Sequence, residues 1–368
     1  MQNQGKYAIN DKGDGLINMY DIAIIGLGPA GATLARLLDK KYHVITIDRK
    51  NANFTKCCGG LLSPDAQKIL AQFDICLPKD VLVDPQIFSV KTIDFDNNIV
   101  KYYQRFYMNM SREKFDNFLI SLIPNNIEIC SNSICEKIEK ENDVYCLAIK
   151  TNGEKRIERA KIIIGADGAN SRVRNTFYKN KIKKYVSIQE WYKDDINSPF
   201  YSCIFDKEIT DSYCWTISKD HCFIIGGAFP MKNSTEKFER LKEKVRSAGI
   251  NFDKLIKREG CLVNLNTGLM STCTGKNGVY LIGEAAGMIS PSSLEGISYS
   301  MESAKILAEI INEDIKNIGQ KYFLRTLAIR IKLIVKILKM PFMYNKYLRK
   351  AVMTSGIKTI KIKRPRFA

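Results

Sequence analysis

Residues 26–31, GLGPAG, have the glycine spacing with which a backbone turn holds a pyrophosphate. Gly26 permits the tight turn, Gly28 lets the backbone approach the phosphates, and Gly31 lets the following helix pack closely on the preceding strand. The N-terminus of that helix offers free N–H groups and a partial positive charge to the anion. The cofactor-binding residues predicted here are Gly26, Gly28, Pro29, Ala30 and Gly31.

An acidic residue stands at the expected distance from this turn. The strand HVITID ends at Asp48, about twenty residues beyond Gly28, where a carboxylate would accept hydrogen bonds from an adenosine ribose. Arg49 follows it and could pair with the additional phosphate of NADP. Strand, turn, helix and acid together predict a dinucleotide site, but they do not separate FAD from NAD or NADP.

Two later segments place further small and acidic residues at strand ends. Residues 161–174, KIIIGADGANSRVR, indicate a strand that ends in a Gly-Ala-Asp-Gly turn before a basic helix start. Residues 279–304, VYLIGEAAGMISPSSLEGISYSMESA, indicate a strand, a small-residue stretch and then a helix. The candidate cofactor-binding residues of these segments are Asp167, Gly168, Gly283, Glu284, Gly287, Gly296 and Ile297.

Together the three segments resemble the FAD-binding pattern shared by flavin hydroxylases and geranylgeranyl reductases, and the match spans most of the chain. The resemblance implies that FAD is the cofactor and that the acid of the third segment hydrogen-bonds the ribityl chain. It also implies that the helix beginning at Gly296 points its N-terminus at the flavin pyrimidine, where a reduced flavin carries negative charge. The family acid is Asp, whereas this chain has Glu284.

Residues 56–64, KCCGGLLSP, are similar to the K-P-C-G-G-G-L-S-P signature of geranylgeranyl reductases, in which the cysteine faces the isoalloxazine. The resemblance makes Cys58 a candidate catalytic residue and Gly59 and Gly60 candidate cofactor-binding residues. A cysteine replaces the proline and a leucine replaces the third glycine. By residue type alone, two adjacent cysteines are typical of a buried loop, and a redox role needs surroundings that favour the thiolate.

Between the first two segments, residues 108–124 indicate a helix that Ser111 or Asn109 would cap. The family places an arginine against the cofactor here, which corresponds to Arg112. By residue type alone, an arginine at this position indicates a solvated surface charge.

Residues 212–230, SYCWTISKDHCFIIGGAFP, alternate apolar and polar side chains on either side of a turn at Lys219-Asp220, which predicts a β-hairpin. The stretch resembles the aromatic Y-x-W-x-F-P strand of the reductases, which forms their substrate cavity over the flavin. Tyr213 and Trp215 are therefore candidate catalytic residues, and packing in the core is the alternative for Trp215.

The length of 368 residues exceeds what one hydrophobic core usually supports, so we expect two domains that share a cofactor. The predicted fold is α/β, with a Rossmann-type FAD-binding domain, an inserted mainly antiparallel β-sheet substrate domain and a helical C-terminal region. The predicted ranges are a disordered tail at 1–18, an FAD-binding domain at 19–80, 105–180 and 265–318, a substrate domain at 81–104 and 181–264, and a basic helical region at 319–368.

The formal net charge of +18 is compatible with nucleic acid or anionic lipid as a partner. The lysines are spread along the chain and no nucleic-acid-binding module is evident, so we expect no nucleic-acid partner. The 11 cysteines have neither zinc-site nor iron–sulfur spacing, which predicts reduced thiols in a cytoplasmic protein without a metal site. The polar start of the chain does not have the pattern of a signal peptide.

After residue 320, apolar residues recur at helical spacing with lysines and arginines beside them, which predicts an amphipathic basic helix. Such a helix could make a peripheral contact with an anionic membrane, or it could cap the substrate domain. We expect the cap, because most amphipathic helices pack on their own protein. The apolar positions are Leu324, Leu327, Ile331, Ile334 and Leu338.

The resemblance implies an FAD-dependent oxidoreductase that reduces carbon–carbon double bonds of an isoprenoid or similar apolar molecule by hydride transfer from flavin N5. No second glycine fingerprint is evident, so the electron donor would be a transiently bound NAD(P)H or a ferredoxin-type protein. An FAD-dependent monooxygenase is the first alternative. A flavin-binding membrane or regulatory protein with little turnover is the second.

Overall fold

The computed structural model describes residues 18–49, 56–193 and 200–362. The predicted N-terminal tail, apart from Asn18, and the last six residues of the basic region lie outside this part of the chain. The described strands, in chain order, are β1 (Met19–Ile25), β2 (Val44–Ile47), β3 (Leu61–Leu62), β4 (Ile87–Asp94), β5 (Ile99–Asn109), β6 (Glu128–Cys130), β7 (Ser133–Glu141), β8 (Val144–Thr151), β9 (Glu154–Gly165), β10 (Lys183–Lys193), β11 (Phe200–Phe205), β12 (Cys214–Lys219), β13 (Cys222–Pro230), β14 (Leu255–Leu265), β15 (Gly275–Lys276), β16 (Val279–Leu281) and β17 (Thr359–Ile360). The described α-helices are α1 (Pro29–Leu37), α2 (Pro64–Gln72), α3 (Arg112–Ser121), α4 (Arg172–Phe177), α5 (Ser234–Ser247), α6 (Ile297–Glu313), α7 (Ile318–Arg325), α8 (Leu327–Tyr344) and α9 (Lys346–Ser355).

The first sheet has the strand order β15-β16-β9-β1-β2-β6. Its centre is parallel, because β1 pairs in the same direction with both β2 and β9. All four residues of β2 are buried, as expected for a parallel strand that is covered on both faces. On one face, Ile22 and Ile24 belong to a core with α1, α3 and α6, and on the other face Ala23 and Ile25 pack with β8 and β16.

The second sheet has the order β14-β10-β13-β12-β11-β4-β5-β17 and is antiparallel except where β11 runs alongside β4. The predicted hairpin forms as β12 and β13, but its turn lies one residue later than expected. Asp220 and His221 both have positive φ, while Lys219 ends β12 with 3% of its surface exposed. Two positive φ values in succession suit the twist of a tight hairpin.

The predicted fold class is confirmed: a sheet with a parallel Rossmann-type centre, a mainly antiparallel second sheet and a helical C-terminal region. Strands β5 and β14 run past the predicted domain boundaries at residues 104 and 264, and β17 returns from the C-terminal region to pair with β5. The domain ranges themselves stay predictions.

The C-terminal helices pack with a different face from the one that we expected. Tyr322, Ile329 and Leu333 are buried, whereas the predicted apolar positions at 324, 327, 331 and 338 are between 48% and 67% exposed. Those four positions therefore lie on the solvent side of the helices, and the expectation that this region caps the substrate domain stays a prediction. Buried residues occur on each of the three helices α7, α8 and α9. No described helix is both long enough and apolar enough to cross a bilayer.

An ion pair fastens α9 to the second sheet. The Arg349 guanidinium donates to both carboxylate oxygens of Asp94 at 2.8 and 2.9 Å and to Asp96 at 2.6 Å. The Asp94 carboxyl, at the end of β4, is fully buried. Burial raises its pKa, but the hydrogen bonds from Arg349 and Asn97 outweigh that effect and lower the pKa below its usual value.

Replacing Arg349 with Met is expected to lower the free energy of unfolding by about 3–5 kcal/mol, because a buried carboxylate is left without its partner. The difference should shrink as the pH falls. A lowered folded-state pKa means that wild type loses this stabilisation on acidification, while protonation relieves Asp94 in the variant. Urea unfolding at pH 7 and pH 4 measures this difference in the free energy of unfolding between wild type and variant. Lys350→Met, at the exposed neighbouring position, is the control. Equal stability of both variants at pH 7 would contradict the assignment.

Candidate functional site

A cavity of about 1480 Å³ is lined by residues of both sheets and of the C-terminal helices. Protein sites for small molecules commonly measure about 300–1,000 Å³, so this cavity has room for a dinucleotide and a second molecule. All predicted site residues line it except Gly31, Gly283 and Gly287. Those three contact protein instead: a Cβ on them would meet Gly26 O, Ser300 Oγ and Ser271 O, respectively.

The first glycine turn joins β1 to α1 at one end of the cavity. A Cβ on Gly31 would lie 1.9 Å from the carbonyl oxygen of Gly26, so glycine is required there for the helix to approach the turn. Around Gly28 no described atom lies within 4 Å of the position of a Cβ, and this residue faces the cavity. Helix α1 begins at Pro29, which directs its free N–H groups toward that open space.

Acidic residues follow β2 and β9, the two strands that flank β1 in the first sheet. Asp48 and Arg49 come directly after β2, and Asp167 comes after β9. One carboxylate oxygen of Asp167 accepts the backbone N–H groups of Arg172 and Val173 at 2.6 and 3.3 Å. Its other oxygen, Oδ1, is buried and has no hydrogen-bond partner within the described chain. A buried polar atom of this kind usually has a partner, which a ligand in the cavity can supply.

Glu284 joins three parts of the chain at the edge of the cavity. Its Oε2 accepts a hydrogen bond from Lys56 Nζ at 2.6 Å, and its Oε1 accepts one from the backbone N–H of Asn264 at 3.0 Å. The Asn264 side chain returns a hydrogen bond to the Glu284 carbonyl. Glutamate, which is longer than the aspartate of the family pattern, therefore spans from the first sheet to β14 and to the cysteine loop.

Helix α6 begins at the cavity with Gly296 as its N-cap and Ile297 as its first residue. Glu295, just before it, accepts hydrogen bonds from the backbone and hydroxyl of Ser298 at 2.9 and 2.8 Å. These bonds satisfy one of the free N–H groups of the helix, and the rest of the N-terminus faces the cavity. This helix start is predicted from the sequence, whereas Glu295 is not among the predicted site residues.

The cysteine loop lies between two cations. The Sγ atom of Cys58 accepts a hydrogen bond from the Gly60 N–H at 3.4 Å, and the Arg112 guanidinium lies close enough to the Cys58 side chain to interact with it electrostatically. The Arg112 guanidinium is held by Asp116 at 2.7 Å. Burial lowers the pKa of Arg112, but Asp116 and Cys58 together raise it above its usual value. Arg112 is therefore a buried charge beside the loop, not a solvated surface arginine.

The second cation is Lys219, which sequence reasoning missed as a site residue. Its Nζ donates to Gly60 O at 3.1 Å, to Met110 O at 2.7 Å and to Asn109 Oδ1 at 2.5 Å. Burial lowers its pKa to about 7. Lys219 thus fixes the glycines of the cysteine loop against β5. The sequence predicts that Lys219 lies in the hairpin turn, where lysine is common, so nothing in the sequence indicates that this side chain is buried.

The aromatic pair forms a wall of the cavity. Tyr213 precedes β12 and donates its hydroxyl to Ser293 O at 2.6 Å, while Trp215 lies within β12, with 5.8 Å between the two ring centroids. Trp215 is 8% exposed, and its indole N–H has no partner in the described structure. Trp215 packs in a core cluster and also lines the cavity, and its catalytic role stays a prediction.

Beyond this wall, the cavity continues into a part that sequence reasoning did not connect with the site. Its lining there is aromatic and apolar, and α8 and α9 contribute to it. No motif marks these residues, because they come from strands and helices far apart in sequence. The residues are Tyr103, Tyr107, Tyr201, Phe205, Phe342, Met343, Val352 and Met353.

These features fit the FAD predicted from the sequence. Gly28 faces the cavity, and so do the N-termini of α1 and α6. Asp167 Oδ1 has no hydrogen-bond donor within the described chain. No group of three or more potential ligands that could hold a metal ion occurs among the residues described.

The fold resembles that of known flavoproteins. A geranylgeranyl bacteriochlorophyll reductase-like protein of Thermoplasma acidophilum has a TM-score of 0.79 at 20% identity, with 92% of this chain and 91% of that chain covered. PqsL of Pseudomonas aeruginosa, a probable FAD-dependent monooxygenase, has a TM-score of 0.67 at 14% identity, with 92% and 100% covered. The architecture is therefore that of the FAD-dependent oxidoreductases and monooxygenases.

Comparison of the amino-acid sequence with known proteins identifies a family within this class. No family model matches the chain. The chain is 45% identical to protein CbrA of Escherichia coli O157:H7 over 343 residues, which are 92% of this chain and 97% of CbrA. The chain belongs to the CbrA family. The resemblance to geranylgeranyl reductase-like proteins that the motifs indicated is confirmed.

Gly28 and Gly31, the second and third glycines of the first turn, should respond differently to replacement with alanine. Gly31→Ala is expected to lower the melting temperature with or without FAD, because its Cβ would overlap the turn. Gly28→Ala should keep the melting temperature of the FAD-free protein but weaken FAD binding about tenfold or more, because the Cβ enters the space for the pyrophosphate. Thermal unfolding and titration of flavin fluorescence measure both. Unchanged FAD affinity in Gly28→Ala would refute the placement.

Proposed function

We propose that the chain is an FAD-dependent reductase of carbon–carbon double bonds in an apolar, isoprenoid-like substrate. The observation that carries the proposal is that the dinucleotide turn, Cys58 and a group of apolar and aromatic side chains all line one cavity. When bound, FAD would supply a hydride from N5. A chamber lined in this way excludes water and suits a substrate without polar groups.

The residues of the chain would act mainly by positioning. Gly28 and the start of α1 would hold the pyrophosphate, Asp48 the adenosine ribose, and the start of α6 the pyrimidine end of the flavin. Arg112 and Lys219 hold the Cys58 loop in place from two sides. Tyr213 and Trp215, which line the cavity, would hold the substrate double bond over the flavin.

A monooxygenase is the second candidate, and the fold shared with PqsL favours it. FAD would then supply the chemistry of oxygen activation, and the apolar lining of the cavity would limit the access of water. Reductase remains our first choice because the cysteine loop has the sequence pattern of the reductases. For either activity the electrons would come from an external donor, NAD(P)H or a ferredoxin-type protein.

Anaerobic mixing of the reduced, FAD-loaded protein with a polyprenyl substrate tests the proposal. We expect the spectrum of oxidised flavin to return and the product to have gained two hydrogen atoms. Substrate-dependent oxygen consumption without reduction of the double bond would favour the monooxygenase. If neither reaction occurs with a range of polyprenyl compounds, the catalytic proposal fails.

Trp215→Ala should slow this reoxidation about tenfold or more while FAD affinity changes little, because the indole lines the substrate part of the cavity. Trp191→Ala is the matched control, since this other tryptophan donates its indole N–H to Glu259 and does not line the cavity. Equal rates for the two variants would show that Trp215 is a packing residue.

A further inference from the structure

Helix α8 presents a continuous apolar stripe to solvent. Leu327, Ile331, Val335, Leu338 and Phe342 follow one another at spacings of three or four residues, which places them on one face of the helix. Each is between 44% and 67% exposed. The end of α7 and the outer side of α9 add further exposed apolar side chains. We call all these residues the apolar face; the additional members are Phe323, Leu324, Tyr347, Leu348 and Val352.

The cavity opens through this face. Phe342 and Val352 belong to the apolar face, at 52% and 41% exposure, and both also line the cavity. They stand on two successive helices, α8 and α9. Met343 and Met353, next to them in sequence, continue the lining inward. A molecule that enters here passes from the apolar face to the apolar and aromatic side chains of the cavity lining, which also includes Arg349.

The chain segment that carries the apolar face has charged side chains of one sign, although Glu302, Glu313 and Asp65 from other elements pair with some of them. From Ile315 to Ala368 the sequence contains fifteen lysines and arginines and neither aspartate nor glutamate. Within the described part of the chain, Lys339 and Lys350 are exposed and form no ion pair. An apolar stripe flanked by lysines is the pattern of a helix that lies in the interface of an anionic membrane.

We propose that the apolar face docks on an anionic lipid bilayer, so that the opening at Phe342 and Val352 meets the lipid. The apolar side chains would enter the boundary between headgroups and acyl chains, and the lysines would contact lipid phosphates. Soluble monomers rarely expose a contiguous apolar surface of this extent without a partner. The docking itself is independent of the chemistry, and it rests on the proposed function only for the identity of the molecule that enters.

Vesicle flotation with the full-length, FAD-loaded protein tests the proposal. Wild type should float with phosphatidylcholine vesicles that contain phosphatidylglycerol and bind pure phosphatidylcholine at least about tenfold more weakly. The double variant Ile331→Glu/Leu338→Glu should lose about tenfold or more of the binding to anionic vesicles. Ile157→Glu/Met231→Glu is the matched control, because these side chains are similarly exposed, at 54% and 58%, outside the C-terminal helices.

Each outcome decides the question. Melting temperature and flavin content should be equal in all variants, since the four side chains are exposed. Binding of Ile331→Glu/Leu338→Glu to anionic vesicles at the wild-type level overturns the proposal. So does sedimentation of wild type as a dimer that this variant dissociates without any flotation, because a second copy would then cover the face. If flotation behaves as expected but no polyprenyl compound is reduced, docking stands and the proposed reaction fails.

Discussion

The contacts of one buried carboxylate hold the parts of the site together. Glu284 follows β16 of the first sheet, accepts a hydrogen bond from the backbone of β14 in the second sheet and pairs with Lys56 at the start of the cysteine loop. A buried carboxylate is costly unless each of its oxygens has a partner, so this geometry tolerates little displacement of any of the three parts. The cavity therefore keeps its width at the point where dinucleotide and substrate would meet.

Features that depend on neighbouring residues in sequence could be predicted. The glycine turn, the strand ends at Asp48 and Asp167, the cap at Ser111 and the start of α6 all follow from local backbone requirements. Each needs a particular residue type at a particular spacing, because turns and helix ends have few geometries. Their common location then follows from the rule that parallel strands end at the same edge of a sheet.

Features that depend on distant partners could not be predicted. Lys219 belongs to the candidate site only because the cysteine loop and the end of β5 place three oxygen atoms around its Nζ. Arg349 is a core residue only because Asp94, 255 positions away in sequence, meets it. Helical periodicity detected that α8 is amphipathic, but which side becomes buried depended on the narrow seam that Ile329 and Leu333 make with the first sheet. The periodicity of one helix does not show which of its sides will pack against the rest of the protein.

The order of the parts along the chain has a consequence for synthesis on the ribosome. The cofactor-facing residues are complete once Ile297 has emerged, whereas the wall made by α8 and α9, and the pairing of β17 with β5, need most of the remaining chain. Since chains fold from the N-terminus as they are made, the nascent protein passes through a stage with a finished dinucleotide cradle and an open substrate side. Loading with flavin during translation would then precede closure of the chamber.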